Sequence, residues 1–357
     1  MRHFAAVVPL FLLLACSGSS GKSDAGGGDG GGAPPGDAGV PQVLASGQNF
    51  PESIAVDSTN VYWADNGVPP GSVMMCAIGG CGGSPTTLAA GQSPYGIAVD
   101  STNVYWTNVG GPTVDAGAVM KCAISGCGGN PTVLASGLIG PYGIAVDSTS
   151  VYWANQGDSA GTGTVMKCAI GGCASPTALA SGLNYPFGVA VDSNNVYWTN
   201  DFGSNGSVMQ CASGGCGGNP TTLASAQDGP YGITVDSTSV YWTNVIGGTV
   251  MKCAIGGCGG NPTTLWTGPT GPNAASPASI AVDSTQVYWT TGQNGLGAGM
   301  QDGGTVMQCA VGGCGGNPTT IATGQWLPNS FGSLAVDSTS AYWTTGTGGS
   351  VMKLTPK

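Results

Sequence analysis

Charge is scarce in this chain. Of its 357 residues only 7% are Asp, Glu, Lys or Arg, with 7 Lys and Arg against 17 Asp and Glu. Without a basic stripe there is no electrostatic footprint for nucleic acid. Direct attraction to an anionic lipid surface is excluded on the same ground. Histidine is nearly missing: the single His3 lies in a segment expected to be removed, which leaves no imidazole for catalysis or for a metal. Glutamate is represented by Glu52 alone, so acid–base chemistry would fall to that residue, the aspartates and the tyrosines. Long apolar runs are also lacking. The stretch Val7–Ala15 is well short of the roughly 20 residues that span a bilayer.

What the chain has in excess is Gly, at 66, and Pro, at 23, a composition that by itself signals low complexity. Fixed spacing overrules that signal. The stretch VDSTNVYW occurs at Val56–Trp63 and again at Val99–Trp106, and close copies end at Trp153, Trp198, Trp242, Trp289 and Trp343. The Asp of the motif falls at Asp57, Asp100, Asp147, Asp192, Asp236, Asp283 and Asp337, giving seven units 43 to 54 residues apart. Each unit holds four short strand-like runs separated by turn-forming residues. In the second unit these are Ile97–Asp100, Val104–Asn108, Ala118–Ile124 and Thr132–Ser136. Four short strands at this period predict an all-β, seven-bladed β-propeller. The segment Pro41–Gln48 matches Pro85–Gln92, and the last unit stops at Ser350–Thr355 after a third strand. The two ends are therefore expected to complete the last blade together.

Two resemblances follow from the residues. The Tyr-Trp-Thr-Asn tetrads from Pro41 onward resemble the YWTD repeats of low-density-lipoprotein-receptor relatives, a YWTD/NHL-like pattern, and this implies a propeller over residues 41–357. Arg2, the short apolar run and Leu13-Leu14-Ala15-Cys16 resemble a bacterial lipobox. That resemblance implies a signal peptide over residues 1–15, lipidation at Cys16, and an outer-membrane lipoprotein facing either the periplasm or the cell surface. Residues 16–40 read as a Gly/Asp-rich flexible tether, with an average reach of roughly 25–30 Å.

Six Cys-x-x-x-x-Cys elements remain once Cys16 is set aside. A two-residue loop would put each pair on a diagonal, whereas a four-residue loop such as Ala77–Gly80 puts the cysteines opposite each other across the strands. In an oxidising compartment this predicts Cys76–Cys81, Cys122–Cys127, Cys168–Cys173, Cys211–Cys216, Cys253–Cys258 and Cys309–Cys314 disulfides. The rival reading, thiolates around a metal, is disfavoured because neighbouring pairs belong to different blades.

Comparing the seven copies shows where the chain is free to vary. The Asp-to-Trp spacing is six in every unit, but Trp to the next Cys runs from 11 to 20, and second Cys to next Asp from 19 to 25. Variation is thus confined to the connections between second and third strands and between one blade and the next. Alternating strand direction puts both on one face, and variable loops on a rigid scaffold are where binding concentrates. Five residues before each Asp the sequence reads Glu52, Tyr95, Tyr142, Phe187, Tyr231, Ala278 and Gly332. This position opens the innermost strand near the channel mouth. The four successive rings either present a ligand-binding arc or pack over the ends of their blades. Trp326, in the last long loop of this face, is a further candidate, whereas Trp266 in a fourth strand reads as packing.

No cofactor is expected. Calcium would need six to eight oxygens in one place, and the loop residues Asp115, Asp158, Asp201, Asp228 and Asp302 show no ligand spacing. The VDS aspartates read as turn caps. The leading expectation is a monomeric, lipid-anchored, non-enzymatic binding or scaffold module for an envelope protein or glycan. The alternative is a lyase or hydrolase acting on a polysaccharide or other polymer, with carboxylates or tyrosines near the channel.

Overall fold

In a computed structural model of the chain, the described residues are 39–357 except 68–69, 111–116, 202, 270–274, 294–303 and 326–332. The expected signal peptide, Cys16, most of the tether, Asp115, Asp302, Trp326 and Gly332 lie outside them. Among the described residues no helix is long and apolar enough to cross a membrane.

The strands form seven four-stranded antiparallel sheets, the blades of a β-propeller. Blade 1 is Pro51–Val56, Asn60–Asp65, Gly71–Ala77 and Thr86–Gln92. Blades 2 to 6 repeat this plan from Pro94, Pro141, Pro186, Pro230 and Ala275. Blade 7 combines Leu334–Val336, Ala341–Thr344 and Val351–Leu354 with the N-terminal strand Gln42–Ala45 as its outermost member. The register Gln42↔Lys353 and Val43↔Met352 is the expected closure of the ring by both ends of the chain.

The second strand of each blade is buried on both faces because a blade stands on either side of it. In Asn60–Asp65 the side chains alternate. Val61 and Trp63 join Leu44, Tyr342 and Val351 of blade 7, while Tyr62 faces blade 2 and meets Val104 and Trp106. All seven of these tryptophans are fully buried. The indole therefore fills the gap to the preceding blade and the tyrosine the gap to the next. Trp266 is buried as well, its ring 5.8 Å from that of Trp289.

The Asp of each VDS motif ties off the turn after the first strand. Asp57 Oδ1 accepts the N–H groups of Thr59 and Asn60, both at 2.7 Å, and Oδ2 accepts the Tyr62 hydroxyl at 2.8 Å. The same tyrosine-to-aspartate bond recurs from Tyr105–Asp100 to Tyr342–Asp337. Burial would raise the Asp57 carboxyl, but these donors outweigh it and hold the group below its ordinary value.

All six predicted disulfides are present, with Cα–Cα separations of 5.4 to 5.6 Å. Their setting differs from the expected cross-strand pair. Cys76 is the next-to-last residue of the third strand, but the fourth begins only at Thr86, so Cys81 lies in a double turn closed by Gly80 N–H to Ala77 O and Ser84 N–H to Cys81 O. Gly80, Gly82 and Gly83 there have φ of 107°, 61° and 79°, angles that strain any residue with a Cβ. Two stacked turns consume more chain than a hairpin loop, and the bridge pins them against Leu44 of the preceding blade.

Candidate functional site

The first strands line the central channel, and their opening residues come together at its variable-loop mouth. In blades 2 to 5 the first strand starts with a buried proline seated over the glycine that opens the preceding blade's third strand. A Cβ on Gly163 or Gly206 would lie 2.3 Å from Cδ of Pro186 or Pro230. One step after each aromatic residue, glycine lets neighbouring inner strands approach. A Cβ on Gly96 would be 2.4 Å from the Tyr142 carbonyl oxygen, and one on Gly143 would be 2.2 Å from that of Phe187. The third residue of several tetrads fastens this approach. Thr107 accepts the Gly96 N–H at 2.9 Å and donates to the Tyr142 carbonyl at 2.7 Å. Thr199 and Thr243 do the same one blade to the next.

This close approach brings the four rings of the predicted arc into one cluster. Tyr95 meets Tyr142 edge-on with centroids 4.7 Å apart, Phe187 stacks on Tyr231 at 4.2 Å, and Tyr142 lies 5.1 Å from Phe187. The hydroxyls of Tyr95 and Tyr231, from blades 2 and 5, are 2.9 Å apart across the channel. The rings thus pack on one another rather than each over its own blade. Burial pushes both hydroxyls well above the ordinary tyrosine value.

Adjoining the cluster is a channel cavity of about 320 Å³. Glu52, Tyr95, Phe187 and Tyr231 line it, together with Ser53, Ser279 and Ser333 and one aliphatic side chain per blade, from Ile54 and Ile97 around to Leu334. Glu52 is the one carboxylate in this lining, which contains no Lys or Arg. Burial raises its pKa, opposed by a 2.7 Å hydrogen bond from Asn66 Nδ2 to Oε2. Of the sequence-predicted residues, then, Glu52, Tyr95, Phe187 and Tyr231 share the cavity, and Tyr142 joins through ring contact. Trp326 lies outside the described residues.

The serines were missed at the sequence level, although a signal existed. The residue after the aromatic position is Gly in blades 2 to 5 but Ser in blades 1, 6 and 7, the same three that lack a ring. The channel therefore has an aromatic half and a half of small hydroxyls with one acid. Asn66 was missed because its loop follows no repeat.

Charge is divided between the two faces. Lys121, Lys167, Lys252 and Lys353 each donate to a turn carbonyl of the next blade, on the face of the fixed turns. Lys357 pairs with Asp283 at 2.7 Å on that same face. Glu52, Asp65, Asp158, Asp201 and Asp228 lie toward the variable loops, which carry no Lys or Arg among the described residues. Burial also raises the carboxyls of Asp65, to about 6, and of Asp201. Among the described residues no three His, Cys, Asp or Glu side chains are grouped to hold a metal.

No family model matches the chain, and no curated protein is similar to it at a significant level. Solved structures are. A streptogramin B lyase is similar with a TM-score of 0.67 at 12% identity, covering 90% of this chain and 98% of that one. The PQQ-bound aldose sugar dehydrogenase of Streptomyces coelicolor has a TM-score of 0.53 at 15% identity, covering 77% and 99%. A prolyl endopeptidase has a TM-score of 0.52 at 11% identity, covering 76% and 41%. At such identities the likeness extends to the fold, and the chain is a β-propeller protein.

Proposed function

We propose that this chain is a lipid-anchored binding or scaffold propeller of the bacterial cell envelope, and that its variable-loop face captures an envelope protein through basic groups. The observation that carries this reading is the division of charge: Asp158, Asp201 and Asp228 reach the surface of one face, with Glu52 and Asp65 beneath them and no cation among the described residues there. Such a face attracts positive partners and repels negative ones. Ile139 and Ile246, 56% and 61% exposed, add apolar anchors in the variable loops of the same face.

Gly39 donates its N–H to the Pro356 carbonyl, so the described chain enters the ring at the face of the fixed turns, away from the variable loops. The test is capture from native envelope extracts at two salt concentrations. The wild type should retain a basic protein that is lost at high salt, whereas retention of a neutral glycan or no retention would overturn the reading. A Cys16→Ser chain should move from the membrane to the soluble fraction.

A further inference from the structure

We propose that the channel cavity is a binding site for a small organic cation of the alkylammonium class, with Glu52 as its counter-charge. The cavity, at about 320 Å³, is at the lower end of the range of small-molecule sites, about 300–1,000 Å³. Its chemistry is unusual for an interior space. Glu52 is half-buried and receives one amide donor, from Asn66 to Oε2. Among the described residues no Lys or Arg lines the cavity to neutralise the charge. A carboxylate partly withdrawn from water without a cationic partner loses solvation, and an ammonium ion beside it would offset that loss.

The remaining walls suit the rest of such a ligand. Tyr95, Phe187 and Tyr231 form the aromatic part of the lining, and aromatic rings attract ammonium groups. Ser53, Ser279 and Ser333 offer hydroxyl oxygens that can accept N–H donors. The aliphatic belt of Ile54, Ile97, Ile144, Val189, Ile233, Ile280 and Leu334 matches a short hydrocarbon chain. An anion would meet Glu52 without compensation, and a neutral alcohol would leave its charge unpaired. This occupant is distinct from the partner of the variable loops, because it lies inside the ring rather than on its face.

The test uses the folded full chain and isothermal titration with n-butylammonium, n-butanol and n-butyrate, three probes of similar size and opposite or absent charge. Saturable binding of n-butylammonium at least tenfold tighter than n-butanol, with no binding of butyrate, is the expected result. Glu52→Gln should bring the butylammonium affinity down to that of butanol. Equal binding of amine and alcohol, or no saturable binding of the amine, would overturn the site, and this comparison within the wild type holds whatever Glu52→Gln does to folding. Unchanged amine affinity in a folded Glu52→Gln chain would overturn the role of Glu52.

Discussion

Asp65 stands at a position where four other blades carry Asn108, Asn155, Asn200 and Asn244. It is buried, Oδ1 has no hydrogen-bond partner, and desolvation raises its pKa to about 6, opposed by bonds from Asn49 and Trp63. A carboxyl whose pKa is raised on folding favours the folded state at low pH, and that contribution is lost as pH rises through the folded value. Asp65→Asn should therefore stabilise the protein by about 1–3 kcal/mol at pH 7, with the gain vanishing near pH 4 in denaturant titrations. The turn aspartates act in the opposite sense. Asp57, Asp100, Asp147, Asp236, Asp283 and Asp337 are all held below the ordinary value. Their contribution is present above about pH 4 and is lost as pH falls below it. Stability should accordingly peak near pH 5, and Asp147→Ala should cost about 1–2 kcal/mol at pH 7 by the shift in urea midpoint.

At the level of the element, the double turn with its bridge repeats six times, and its cost of removal should be local. Replacing Cys122 and Cys127 together by serine should lower stability by about 2 kcal/mol, with strand content unchanged by circular dichroism. The inner strand is less forgiving. Gly143→Ala would put a Cβ 2.2 Å from the Phe187 carbonyl oxygen, forcing blades 3 and 4 apart where the rings meet. That change should reduce the thermal midpoint more than the loss of a disulfide does. These elements show what the sequence made legible. Fixed spacing revealed strands, blade number, cysteine pairing and the interblade tryptophans, because each depends on residues repeated at one period. The fastening of one blade to the next by Thr107 or Lys121 was not legible, because the partner is a backbone carbonyl 35 or 49 residues away, which carries no side-chain signature. The same holds for the ring cluster. Its residue positions could be read, but whether the rings point at solvent or at one another depends on channel width.

For the whole molecule, closure of the ring is the feature on which cooperativity depends. Residues 42–45 supply the outer strand of blade 7, and Leu44 and Ala45 are buried between blades 7 and 1. Deleting residues 41–48 should expose an edge and replace one cooperative unfolding transition by a broader one at lower temperature. The closed ring also sets the two faces apart, one built of uniform turns that hold the lysines, the other of variable loops whose acids have no cationic partner among the described residues. That division is the basis of the proposed function. The most direct measurement is quantitative crosslinking and pull-down from native envelope with three chains: the wild type, an Ile139→Lys/Asp158→Lys/Ile246→Lys variant of the variable face, and an Ala77→Glu/Ala169→Glu variant of the turn face. Loss of the captured partner in the first variant alone, at least tenfold and with folding intact, is the predicted result. Equal capture by the wild type and the variable-face variant, or loss only in the turn-face variant, would contradict it.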